Sequence, residues 1–104
     1  MASIQEVTDQ SFEAEILQSE VPAIVDFWAE WCAPCRQIAP FIADLAASYD
    51  GKIKVVKMNV DENQSTPARY GVRAIPTILA FRGGQVVEQI TGAQRKAAFE
   101  EIAK

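Results

Sequence analysis

The chain of 104 residues contains no histidine. That absence excludes a cysteine–histidine hydrolase outright. With only two cysteines besides, a closed four-ligand zinc site would have to borrow carboxylates or ligands from a second chain. A c-type haem attachment is excluded as well, because Arg36 stands where C-x-x-C-H requires histidine. Positive charge is also in short supply: 10 lysines and arginines against 14 acidic residues leave a net charge of -4, which argues against nucleic acid or an anionic membrane as a main partner. No apolar run approaches membrane-spanning length, and the opening Met1-Ala2-Ser3-Ile4-Gln5-Glu6 has neither the basic stretch nor the apolar run of a signal peptide. A reducing cytoplasm is therefore the expected compartment. Repeats, low-complexity tracts and linkers are absent too, so residues 1–104 read as a single domain.

What is present is concentrated in Trp31-Cys32-Ala33-Pro34-Cys35, which holds both cysteines between an apolar strand-like run and a helix-like one. A disulfide needs α-carbons about 4.4 to 6.8 Å apart, and residues i and i+3 of a turn or first helical turn meet that without distortion. The pair can open and close in place. Proline is favoured at the first helical position, so a helix starting at Pro34 leaves Cys32 just outside it and Cys35 in its first turn. The unpaired N–H groups and positive dipole end of that helix favour a thiolate at Cys32, the nucleophilic form of the thiol. Cys35 turns inward as the resolving thiol. A permanent staple is disfavoured, because closing so short a loop removes little unfolded-chain entropy. Pro34 also biases Ala33 toward extended backbone angles.

Along the chain, residues 3–7 read as a short edge strand, followed by a helix over 9–18 with Thr8 as candidate N-cap and Phe12, Ile16 and Leu17 on one face. Pro22 breaks the chain, and residues 23–29 are nearly continuous apolar sequence, as in a central strand covered on both faces. A single charge, Asp26, interrupts that run. Ile38, Phe41, Ile42, Leu45, Ala46 and Tyr49 form the buried stripe of a helix over 34–49, with Pro40 expected to kink it. Residues 53–60 read as a strand and 66–71 as a brief helix. Strands 77–81 and 85–90 join at Gly83-Gly84, a pair that tolerates the positive φ of a tight hairpin. A helix over 94–104 closes the chain on Ala98, Phe99 and Ile102. The order β-α-β-α-β-α-β-β-α predicts an α/β fold, a mixed five-stranded sheet with four helices on its two faces.

These residues resemble one family along the whole chain, the thioredoxins. The likeness is carried by Asp26-Phe27-Trp28-Ala29-Glu30-Trp31-Cys32, Pro34-Cys35, Pro40, Lys57, Asp61, Tyr70-Gly71-Val72, Ile75-Pro76-Thr77, Phe81, Gly84 and Gly92-Ala93. It implies the thioredoxin fold, general protein disulfide reduction through a reversible Cys32–Cys35 disulfide with no other cofactor, disulfide-containing target proteins, re-reduction by a thioredoxin reductase, and a monomer. The family is itself a standing example of a helix-terminal thiol acidified by its surroundings.

The resemblance also assigns roles. Asp26, whose pKa burial should raise, lies behind the resolving cysteine and accepts its proton; the other reading is a structural acid paired with Lys57, and both can hold. Ile75–Pro76 corresponds to the family's cis-proline loop. Together with Trp31, Ala33, Pro34, Gly92 and Ala93 it forms a shallow apolar surface for an extended target segment. Trp31 could instead pack partly into the core. Two departures stand out: Ala33 replaces the glycine of W-C-G-P-C, which bears on redox tuning along with Pro34 and Lys57, and Ala74 occupies a position often glycine or serine. A disulfide oxidase or isomerase on the same fold, and a non-catalytic interaction module, are the competing functions.

Overall fold

In the computed structural model, which describes residues 4–103, the apolar run after Pro22 becomes the central strand β2 (Ala23–Trp28). It lies between β3 (Lys54–Asn59), parallel to it, and β4 (Thr77–Arg82), antiparallel. The edges are β1 (Gln5–Glu6) along β3 and β5 (Gln85–Thr91) along β4, in the order β1-β3-β2-β4-β5. A strand hydrogen-bonded on both sides and covered on both faces has no solvent side to require polar alternation, hence its continuous hydrophobicity. The edge strand at the N-terminus is shorter than expected: Val7 is buried just beyond it and donates to the Lys57 carbonyl at 2.9 Å, while Ser3 lies outside the described residues.

Side chains alternate across the sheet with period two. Val25, Phe27, Val56, Met58, Leu79 and Phe81 face one way, onto Phe12, Ile16 and Tyr70. Ile24, Val55, Ile78 and Ala80 face the other way, onto Ile38, Ile42, Leu45 and Phe99. Asp26 falls in phase with Ile24. It therefore points to the face covered by the long helix that carries Cys35, a placement decided by the pleat alone.

Four helices cover these faces: α1 (Glu13–Leu17), α2 (Ala33–Ser48), α3 (Ser65–Arg69) and α4 (Lys96–Ile102). α1 is shorter than the expected 9–18 and wide, Gln18 N–H reaching the Glu13 carbonyl at 3.0 Å. The reason lies ahead of it. Thr8 Oγ1 accepts from Ser11 N–H (3.1 Å) while Ser11 Oγ accepts from Thr8 N–H (2.9 Å), a reciprocal cap that holds 8–11 as a turn, so helical bonding starts only with Glu15 N–H on the Ser11 carbonyl. α2 starts one residue earlier than expected and continues through Pro40. α4 begins at Lys96 and buries Phe99. At the β4–β5 hairpin, Gly83 and Gly84 take φ of 59° and 79° between the paired residues Arg82 and Gln85, the two-residue turn that requires positive φ at both positions.

α3 owes its start to a remote residue. No side chain caps it from Gln64; the Asp9 carboxylate accepts from Thr66 N–H at 2.9 Å and Ser65 N–H at 3.2 Å. Against the upward push of desolvation, hydrogen bonds from Thr66, Ser65 and Gln64 hold the Asp9 carboxyl below its ordinary value. Asp9→Ala is expected to cost about 1 kcal/mol, seen as a lower denaturant midpoint near pH 7. Because the folded-state pKa is depressed, this contribution is present above the unfolded pKa and lost as pH falls through the folded one, so the variant and the wild type converge in acid.

Candidate active site

The local fold of the cysteine pair follows from a turn at residues 30–31, closed by Cys32 N–H on the Ala29 carbonyl at 3.2 Å, after which Cys32 alone is extended, at φ -88° and ψ 103°, and acts as the N-cap of α2. Its Sγ accepts the Cys35 N–H at 3.2 Å, while Arg36 N–H donates to the Cys32 carbonyl at 3.2 Å. With the cap at Cys32, Ala33 is the first helical residue and Pro34 the second, so the expectation that Ala33 is extended does not hold. Proline fits there because its missing N–H belongs to the first turn, whose donors have no intrahelical acceptor. Cys32 and Cys35 are joined in a disulfide with α-carbons 5.3 Å apart. Exposure does not separate them, at 3% and 4%. What differs is position, Cys32 at the cap and Cys35 inside the first turn.

Beneath Cys35 lies a cavity of about 130 Å³ lined by Asp26, Trp28, Arg36, Ala39, Ile42, Lys57 and Ile4. Asp26 is 5% exposed, and its Oδ1 has no hydrogen-bond partner among the described residues. Burial pushes its carboxyl up to about 7, with the Lys57 charge pulling the other way. Lys57 is the register partner of Asp26 on β3, yet no ion pair joins them among the described residues. The ammonium sits 4.7 Å from the centroid of the Trp28 ring instead. A cation over an indole face retains favourable electrostatics without an anion.

The outer surface gathers the remaining expected residues. Trp31 is 68% exposed, which rules out core packing, and its indole N–H donates to Asp61 Oδ2 at 2.8 Å. Asp61 is in turn held by its own N–H on Asn59 Oδ1 at 2.9 Å. Ala33 and Pro34 are exposed beside Cys32. Ile75, half-buried, packs with Trp28 and Val60 against Ala29, Cys32 and Cys35, and the Ile75–Pro76 peptide is cis. The Pro76 carbonyl accepts the N–H of Gly92 at 2.8 Å, a residue at φ 88°. Ala93 is exposed and enters only as the neighbour of Gly92. Asp61 belongs to the residues that carry the family resemblance, and its role becomes visible only here: its contact with Trp31 joins residues 30 apart, and no local pattern signals it.

A thioredoxin family model, described as "Thioredoxin", matches residues 3–104. The chain belongs to the thioredoxin family. It is 48% identical over 101 residues to Thioredoxin 1 of Nostoc sp., covering 97% of this chain and 94% of that protein. With the Thioredoxin of Streptomyces clavuligerus the identity is 53% over 95 residues, 91% and 88% of the two chains. With Thioredoxin 2 of Chlorobaculum tepidum it is 54% over 91 residues, 88% and 84%. Membership in the thioredoxins, with the Cys32–Cys35 disulfide in place, makes the chain a thiol–disulfide oxidoreductase with protein-disulfide reductase activity. Among the described residues no helix is long and apolar enough to cross a membrane, and no cluster of metal-ligating side chains occurs.

Proposed function

We propose that the whole chain acts as one domain and, in a reducing cytoplasm, as a general donor of two electrons to protein disulfides and reductive enzymes, re-reduced by a thioredoxin reductase. The observation that carries this is the disulfide at the helix cap, with the Cys35 N–H on Cys32 Sγ and an unpartnered buried carboxyl in the cavity below. In the dithiol form, the Cys32 thiolate attacks one sulfur of a target disulfide. A mixed disulfide forms, and the other target sulfur leaves as a thiolate that takes up a proton. Asp26, ionised for this step, accepts the Cys35 proton through the shared cavity, which is roomy enough for a bridging water. Cys35 then attacks Cys32 Sγ, restoring the intramolecular disulfide and releasing the second target thiol. Lys57 tunes the site through the charge that opposes Asp26 protonation.

Target docking is assigned to Trp31, Ile75, Pro76, Gly92 and Ala93. The exposure of Trp31, held by Asp61, supports this. So does the Ile75 backbone, whose N–H and carbonyl have no hydrogen-bond partner among the described residues; an extended target segment can pair there as an added strand.

A redox titration against glutathione, coupled to insulin reduction with a thioredoxin reductase, tests the reading. A reducing potential with sustained turnover is expected; a strongly oxidising potential with net disulfide formation would favour the oxidase instead.

Ala33 and Pro34 are read as redox-tuning residues whose effect is small. Ala33 is helical, and glycine in a helix is less stable than alanine, so Ala33→Gly should destabilise by about 0.5 to 1 kcal/mol. The methyl group adds neither charge nor proton donor, and the potential should move by less than about 30 mV. Thermal melts and redox titration of both forms measure the two effects.

A further inference from the structure

We propose that Thr77 is a positioning residue for target recognition, fixing the Ile75 backbone through the hydrogen bond from its hydroxyl to the Ala74 carbonyl; the inference rests on the reading of Ile75–Pro76 as the docking edge. Thr77 opens β4 and is 1% exposed, so its hydroxyl cannot turn to solvent. It reaches three residues back, across Ile75 and Pro76, to the Ala74 carbonyl at 2.5 Å. The next clasp comes from the opposite side, Gly92 N–H on the Pro76 carbonyl at 2.8 Å. The two carbonyls flanking Ile75 are thus both engaged.

Between these clasps the Ile75 N–H and carbonyl are left without partners among the described residues, and its side chain packs against the cysteines. An extended segment can add to that free edge only if the Ile75 peptide planes are held in one orientation beforehand, since ordering them on binding would weaken affinity. Gly92 holds the C-terminal side of Ile75; Thr77 alone, among the described side chains, holds the N-terminal side. Ala74 matters through its carbonyl rather than its methyl group, which explains how a position read as a departure from the family fits the same loop.

A hydroxyl that merely satisfies its own burial would affect stability without affecting target selection, and substrates of two kinds separate these roles. Insulin presents an extended segment around its disulfide, whereas 5,5'-dithiobis(2-nitrobenzoate) presents none. Both are assayed with the full chain: insulin in turnover with NADPH and a thioredoxin reductase as electron source, the small disulfide in single turnover with chain that has been reduced and then freed of reductant. Thr77→Val keeps the β-branched shape favoured in strands and removes the donor. It is expected to raise KM for insulin about three- to tenfold, the range of one net hydrogen bond, with kcat and the rate on the small disulfide within about twofold. Thr77→Ser is expected to restore KM. An unchanged insulin KM in Thr77→Val, an equal loss on both substrates, or no recovery with serine would overturn the assignment. If Thr77→Val does not fold, Thr77→Ala takes its place in the same assays: a raised insulin KM with the small-disulfide rate within about twofold is expected, and an unchanged KM or an equal loss on both substrates overturns the assignment. A wild type that reduces the small disulfide but not insulin would sink the docking reading itself, whatever Thr77 does.

Discussion

Cys32→Ser brings disulfide reduction down to background, and Cys35→Ser halts it at a mixed disulfide with the target. The two substitutions have the same chemistry, one sulfur to one oxygen, and nearly equal burial at 3% and 4%, so position has to account for any difference. Cys32 is the cap of α2, with the Cys35 N–H donating to its sulfur; a donor and a positive helix end stabilise the thiolate that attacks. Its neighbours Trp31, Ala33 and Pro34 are exposed, which brings a target disulfide to this end of the pair. Cys35 lines the Asp26 cavity and suits the second, intramolecular displacement. Intact-mass analysis after incubation with an oxidised peptide reads the outcome directly: an adduct should build up on the Cys35 variant, and adduct on the Cys32 variant instead would reverse the roles.

Asp26→Ala melts at a higher temperature than the wild type at pH 8 and turns over more slowly. The folded-state carboxyl is pushed up to about 7 by burial, against an unfolded value near 3.9. A raised folded pKa means that the neutral acid's contribution is fully present below the unfolded pKa and is lost as pH rises through the folded one. The wild type therefore loses stability between about pH 4 and pH 7, on the order of 4 kcal/mol in all. Alanine loses none of it. The melting difference should be several degrees at pH 8 and should shrink toward acid, where the protonated carboxyl is tolerated and alanine merely enlarges the cavity. Without a base for Cys35, the resolving step slows and its dependence on pH near 7 disappears. Melts across pH 4 to 8 and single-turnover release from the mixed disulfide measure both halves; equal melting at pH 8 with full turnover would refute the proposal.

How much of this was legible beforehand depends on how far apart the partners lie. The central strand, its buried acid and the C-x-x-C at a helix start are visible in consecutive residues, because burial on both faces and N-terminal capping leave local patterns. The glycine hairpin is legible for the same reason. By contrast, α3 is capped by Asp9 from 56 and 57 residues away, and Trp31 is held by Asp61 across 30. Nothing near Asp9 or Asp61 distinguishes them from solvated acids. α2 starts one residue before the position proline prefers, because the Cys32 sulfur caps it by accepting the Cys35 N–H and proline is tolerated anywhere in a first turn. The Lys57 ammonium was expected near Asp26 by register, and register is correct; the neighbouring indole decided where the charge came to rest.

The strand directions divide the molecule into a working end and a handling end. β2 and β3 run toward Trp28 and Asn59, β4 starts at Thr77 and β5 finishes at Thr91, so the turns bearing Trp31, Cys32, Asp61, Ile75 and Gly92 all leave the sheet on one side. Pro22, Ile53 and the Gly83–Gly84 hairpin leave it on the other. Gly51 lies in the turn just before Ile53, with open space where a side chain would begin. A single bio-orthogonal handle placed at the exposed position of Lys52 beside it would anchor the protein to a solid support with its redox face outward, making an immobilised reductant whose turnover per molecule should match that of the free protein.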